Sequence, residues 1–192
     1  MATFYHGSPL LFKSFDLSKA GESTGTKFGF GVYLTESEAS AVHYSEPRNQ
    51  ETPAPDHYLY TVEIPDLTDD NHITSALPVP QTILDRTAAK LGKPVPAEQA
   101  EAGKLFRKWL GMTLTGSKKN GIEEEKAAAA FLNSIGVLYN VWPQAQTRPD
   151  GLKNCAVFNA DNVKIVKIEH IEIIRKCGKN LLVPESRKTI TI

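Results

Sequence analysis

Apolar residues alternate with polar ones at both ends of this chain and recur every three or four residues through its middle, the pattern of sheet-forming flanks around a helical centre. Residues 3–6, 32–35 and 58–64 are short alternating runs bounded by glycine, proline or polar clusters, and each is predicted to be a half-buried strand. Between the first two, Phe12 and Phe15 sit three apart in an irregular stretch and are expected to plug the core. Residues 21–31 hold four glycines together with Ser23, Thr24, Thr26 and Lys27, which predicts a mobile loop that rigidifies on entering the strand at 32–35. Thr35 and Glu38 have the spacing of a capping box, so a helix is predicted to start there, run through Ala39, Ala41 and Tyr44, and stop at Pro47. A helix launched from the strand of Tyr33 lays Tyr44 back over that strand. Residues 48–57, with Pro53 and Pro55, read as a surface loop.

Helices are predicted over 80–91, 97–110 and 122–135, with Gly92, Gly111 and Gly136 as their C-terminal caps. The run 115–121 is a turn-rich linker and the most disorder-prone loop of the chain. Strands return at 137–142, 154–158 and 164–174, where Ile165, Ile168, Ile171, Ile173 and Ile174 mark buried positions. No internal repeat or low-complexity tract interrupts this order. A single α+β domain over 1–192 is therefore expected, with a mainly helical insertion at 80–135 and a C-terminal tail at 179–192.

Composition narrows the classes. With 192 residues, 41% of them hydrophobic and 23% charged, the chain is long enough to bury one substantial core. The formal net charge is zero, so no global basic field draws it to nucleic acid or to an anionic membrane, and no strong nucleic-acid signature is present. Two cysteines, Cys155 and Cys177, make no disulfide framework and have no zinc-site spacing. The N-terminal residues lack a basic and an apolar region, and there is no run of about 18 apolar residues. A soluble, cytoplasmic protein with no membrane association and no metal is the expectation.

The chemistry-bearing residues concentrate near the N-terminus. Phe4-Tyr5-His6-Gly7-Ser8 ends a strand in His-Gly-Ser. Phe28-Gly29-Phe30-Gly31-Val32-Tyr33-Leu34-Thr35 enters a second strand through Gly-x-Gly and leads to the helix of Tyr44. Taken singly, a histidine at a strand end or a Gly-x-Gly turn has an ordinary structural reading. Together, in this order and spacing, they resemble the NAD-binding elements of ADP-ribosyltransferases of the diphtheria-toxin and poly(ADP-ribose)-polymerase type. The likeness extends to Leu59-Tyr60-Thr61-Val62-Glu63-Ile64-Pro65, to residues 131–137, and to Asn154-Cys155-Ala156-Val157-Phe158-Asn159 with Val163-Lys164-Ile165. It is strongest toward the ADP-ribosyltransferase domains in polyvalent proteins of phages and mobile elements, and weakest over 80–110.

That resemblance implies a split β-sandwich of two packed antiparallel sheets flanked by helices, with NAD+ as substrate in the cleft. It implies mono-ADP-ribosylation of a macromolecular acceptor, expected to be a host protein, with release of nicotinamide. His6 would hold a ribose hydroxyl by position rather than charge. Gly7 would leave room for the nicotinamide carboxamide, Tyr33 and Tyr44 would sandwich the ring, and Ser8, Phe30 and Gly31 would complete the cofactor-binding set, Phe30 closing over the ligand with Phe28. The third signature residue of the family is usually glutamate, but Asn154 stands at that position. An amide can orient a ribose but cannot supply negative charge or act as a base. Three possibilities follow: Asn154 suffices for single transfers, a carboxylate from Glu123, Glu124 or Glu125 enters the site, or the chain is a non-catalytic nucleotide-binding or interaction module. Plain NAD+ hydrolysis is an enzymatic alternative. Gln144 and Gln146, after Trp142, stand where relatives often recognise the acceptor.

Overall fold

The computed structural model describes residues 1–20, 26–46, 52–143 and 151–191. The elements run in the order β1 (Ala2–Ser8), β2 (Val32–Thr35), α1 (Glu38–Tyr44), β3 (His57–Ile64), β4 (His72–Thr74), α2 (Gln81–Leu91), α3 (Ala97–Ala100), α4 (Gly103–Thr115), α5 (Ile122–Ser134), β5 (Tyr139–Pro143), β6 (Lys153–Val157), β7 (Lys164–Ile171), β8 (Ile173–Lys176), β9 (Lys179–Leu182) and β10 (Lys188–Ile190). The class is mixed α and β: a large sheet, a two-stranded ribbon of β8 and β9, and helices.

The large sheet has the strand order β10-β7-β3-β1-β2-β6-β5-β4. Two separate packed sheets were expected; instead two halves share one hydrogen-bonded sheet joined at a pinch. β1 pairs with β3 along its whole length, from Ala2↔Ile64 to Ser8↔Tyr58, and β2 pairs with β6 from Val32↔Val157 to Thr35↔Asn154. Between β1 and β2 the register holds at Tyr5↔Thr35 alone. Beyond that pair each of the two strands stays with its own neighbour, β1 with β3 and β2 with β6, and the halves part. The sheet is also not wholly antiparallel, because β4 pairs with β5 in parallel.

Strand alternation sorts the core. Phe4, Val32, Leu34, Tyr60, Val62, Tyr139, Val141, Cys155 and Val157 form one cluster, against which Phe12 and Phe15 pack as expected. The opposite face carries α1, whose Ala41 and Val42 meet Leu59 and Ile171. The helical layer has its own core around Ile83, Phe106, Leu110, Ala128 and Leu132, closed by Ile73, Val137 and Phe158.

Several boundaries differ from expectation for local reasons. Ser37, not Thr35, caps α1, its hydroxyl accepting from the Ser40 N–H at 3.2 Å, while the Thr35 hydroxyl serves the Ser37 N–H. The second predicted helix is two, because the Gly103 and Lys104 N–H groups donate to the Leu77 and Ser75 carbonyls and restart the helix there. Gly111 is no cap. It lies within α4, where a Cβ would stand 2.2 Å from the Glu124 carbonyl oxygen, so its missing side chain lets α5 approach; Gly116 ends the helix instead. The expected C-terminal tail is built into the fold. β9 pairs with β8, β10 pairs with β7, and Arg187 between them bridges Glu38 at the start of α1 to buried Glu169.

Gly7 is the tightest of these contacts. A Cβ there would lie 1.8 Å from the Ala41 carbonyl oxygen and 2.8 Å from the Ser45 nitrogen, so α1 crosses β1 backbone to backbone. Gly7→Ala is expected to cost at least about 1–3 kcal/mol of stability, because the obstruction is main chain and not a movable side chain. A denaturant midpoint equal to that of the parent would show that α1 does not need this approach.

Candidate functional site

A cavity of about 390 Å³ opens where the sheet parts, lined by residues of β1, β2, α1, the 27–28 turn, β5 and β6. Register explains its composition. Thr35 lies across from Asn154, which lies across from Trp142, and Tyr33 lies across from Ala156, which lies across from Asn140. With period-two alternation, Tyr33, Thr35, Asn154, Trp142 and Asn140 share the face turned from the Cys155 and Val157 core. Tyr5 joins them through its pairing with Thr35, and Gly7 follows on the same side of β1.

His6 is out of phase with that set and reaches the cavity across the pinch. Its Nδ1 lies 2.9 Å from the Tyr33 carbonyl oxygen, replacing a ladder bond the two strands no longer make. A carbonyl only accepts, so Nδ1 carries the proton and neutral His6 keeps Nε2 as an acceptor. The ring sits edge-on to Phe15, with centroids 5.1 Å apart, and near Phe12 and Tyr60. Tyr60 fixes this box: its hydroxyl donates to the Leu10 carbonyl and accepts from the Phe12 N–H, and its ring stacks on Phe12. Desolvation among these rings lowers the His6 pKa from 6.5, outweighing the Tyr33 carbonyl, so the imidazole is neutral near pH 7.

Tyr33 anchors the turn before β2. Its hydroxyl donates to the Gly29 carbonyl at 2.9 Å and accepts from the Phe28 N–H at 3.1 Å. Phe28 stacks on Trp142, with centroids 4.2 Å apart and planes 7° from parallel, and Tyr33 meets Trp142 edge-on. The turn is also held from below. Buried Asn140 donates to the Phe28 carbonyl and bonds Ser75. Arg107 of α4, fully buried and ion-paired with Glu125 of α5, lies under Gly29, where φ is +110° and a Cβ would stand 3.3 Å from the Arg107 side chain. Burial pulls the Arg107 pKa down to about 10, which leaves the guanidinium charged at neutral pH.

Of the residues singled out from sequence, His6, Gly7, Ser8, Tyr33, Tyr44 and Asn154 come together on this cavity. Phe30 and Gly31 are not among its lining residues. Phe30 is buried in the core of the helical layer, and Gly31 lies against β6, where a Cβ would stand 2.4 Å from the Val157 carbonyl oxygen. Gly7 has a packing reason of its own in α1. Glu123 pairs with Lys126, Glu124 bonds Thr115 and Glu125 pairs with Arg107, so none of the three lines the cavity. Gln144 and Gln146 lie outside the described residues. Trp142, Lys27 and Tyr5 were not assigned to the site; the alternation in Tyr139-Asn140-Val141-Trp142, with a buried amide in an apolar strand, was the available signal for that wall.

Cys155 is buried and burial raises its thiol pKa, so it offers no thiolate. Among the described residues no three His, Cys, Asp or Glu side chains converge as a metal site requires, and no helix is long and apolar enough to cross a membrane. Neither a family model, nor a curated protein, nor a solved structure matches the chain.

The His6 shift has a consequence for pH. Between 6.5 and the lower folded value, the unfolded chain binds a proton that the folded chain refuses. The contribution of neutral His6 to stability is thus complete above 6.5 and is lost as pH falls through the folded value. His6→Gln, which retains a donor and cannot titrate, is expected to lose less stability than the parent on acidification across that window. Parallel profiles of denaturant midpoint against pH would place the titration elsewhere.

Proposed function

We propose that this chain is a mono-ADP-ribosyltransferase that binds NAD+ in the cavity at the sheet pinch and transfers one ADP-ribose to a macromolecular acceptor. The observation that carries this reading is the convergence of His6, Gly7, Tyr33, Tyr44 and Asn154 on one cavity beside a strand edge left without a sheet partner. From His6 onward the β2-facing edge of β1 makes no ladder with β2, and main-chain groups along such an edge suit a carboxamide. The cavity falls in the size range of small-molecule sites, about 300–1,000 Å³.

In the transfer, the bond between ribose C1′ and the nicotinamide nitrogen breaks with its electron pair leaving on nicotinamide. The acceptor's nucleophilic atom bonds to C1′ and releases its proton to solvent, so the products are the ADP-ribosylated acceptor, neutral nicotinamide and one proton. Neutral His6 accepts a hydrogen bond from a ribose hydroxyl at Nε2, a role that the half-buried, uncharged imidazole supports. Tyr33 and Tyr44 flank the nicotinamide ring, and Asn154 orients the ribose at the reacting carbon. Trp142 and Phe28 extend the aromatic wall.

One observation favours a second reading. Among the described lining residues there is no Asp or Glu, which suits a module that holds NAD+ or a related nucleotide without turning it over.

Incubation with labelled NAD+ and a bacterial lysate separates the two. Labelled macromolecules are expected with the parent chain. Labelling should be lost in His6→Ala and reduced in Tyr44→Ala, whose exposed side chain can be removed without disturbing the core. Asn154→Glu is expected to raise NAD+ consumption at least about tenfold, since one such electrostatic contact is worth about 10²–10³ in turnover. Binding of NAD+ without release of nicotinamide by the parent or by Asn154→Glu would favour the binding module. Labelling that survives both His6→Ala and Tyr44→Ala would overturn the site.

A further inference from the structure

Among the described residues that line the cavity, Lys27 is the one Lys, Arg, Asp or Glu, and His6 beside them is neutral near pH 7. It makes no ion pair among the described residues, in contrast to Lys126, Lys164 and Lys167, which each meet a carboxylate. Its ammonium rests instead 5.4 Å from the centre of the Phe28 ring, whose other partner is Trp142. The backbone that carries it is fixed. The Lys27 carbonyl faces the buried Arg107 guanidinium at 3.5 Å, and the next residue is tied by Tyr33 and Asn140. A cation on an anchored turn, at the rim of a cavity with aromatic walls, suits a ligand that joins a planar ring to an anion.

Resting on the reading of the cavity as an NAD+ site, we propose that Lys27 is the diphosphate-recognising residue and makes the site selective for dinucleotides over uncharged or cationic nucleosides. Charge decides the direction. Nicotinamide riboside carries a positive charge and gains nothing from an ammonium at the rim. NAD+ and ADP-ribose bring a diphosphate, which a compact lysine ammonium binds as a point charge. The arrangement also fits the lack of a carboxylate among the described lining residues. An acid beside Lys27 would pair with it and cancel the attraction for phosphate. Lys27 is exposed, so the contribution sits at the lower end for a charged hydrogen bond and weakens as salt rises.

Calorimetric titration of the purified chain with NAD+, ADP-ribose and nicotinamide riboside, at low and high salt, tests this. Lys27→Gln is expected to weaken NAD+ and ADP-ribose about tenfold, abolish most of their salt dependence and leave nicotinamide riboside unchanged. Lys27→Arg should retain dinucleotide binding. Equal weakening of all three ligands in Lys27→Gln would mean that the turn has merely lost its shape, and unchanged NAD+ binding would mean that the diphosphate lies elsewhere; either overturns the inference. ADP-ribose binding that depends on Lys27, in a chain that never releases nicotinamide from NAD+, would sustain the inference while removing the transferase reading. Failure of the parent to bind any of the three removes both.

Discussion

The incomplete pairing of β1 with β2 is the constraint from which the rest of this molecule follows. A sheet ladder normally satisfies both edges of an inner strand, yet these neighbours meet at Tyr5↔Thr35 and then separate. The gap is kept by contacts on both sides. α1 presses its backbone onto Gly7 from one face, and His6 spans from β1 to the Tyr33 carbonyl from the other. Filling Gly7 would push α1 away, and losing His6 would leave the Tyr33 carbonyl without that donor. The same two residues therefore serve the fold and border the cavity, and that overlap is why substitutions there must be read by stability as well as by activity.

The helical layer takes part in the same construction. A buried arginine paired with a buried glutamate is expensive to desolvate, and an apolar pair of similar volume would often be at least as stable. Arg107 and Glu125 are placed where the charge touches the turn ahead of β2, beneath Gly29 and beside the Lys27 carbonyl. Asn140 repeats the device from β5. The turn that presents Phe28 and Lys27 is thus a rigid shelf held by the insertion, and the cavity wall is shared between the sheet and the helices. The C-terminal segment plays the matching part for α1, through Arg187 on Glu38 and through the β8–β9 ribbon, whose Asn180 bonds the His43 carbonyl.

Much of the local structure was legible along the chain because it is governed by short-range periodicity. The strand at 32–35 and the helices at 81–91 and 122–134 follow their apolar spacing closely. The errors arose where a distant partner overrode a local signal. Gly111 resembles a cap until α5 requires its missing side chain, and Thr35 resembles a cap until its place in β2 leaves Ser37 to do it. Short strands such as β4 and β10 carry too few residues for alternation to show, and exist because a neighbouring edge is available.

By itself the sequence determined the alternating strands, the helical centre, the positions of His6, Tyr33, Tyr44 and Asn154, and the amide in place of an acid. These are properties of residue type and spacing, which the chain carries before it folds. Tertiary structure decided that six of the eight singled-out site residues share one cavity while Phe30 and Gly31 serve the interior. It also decided that Glu123, Glu124 and Glu125 are occupied elsewhere and that Trp142 and Lys27 complete the wall. The reason is the register across β2, β6 and β5: a shift of one residue would turn Asn154 and Trp142 into the core, and nothing local to either strand specifies which face they take.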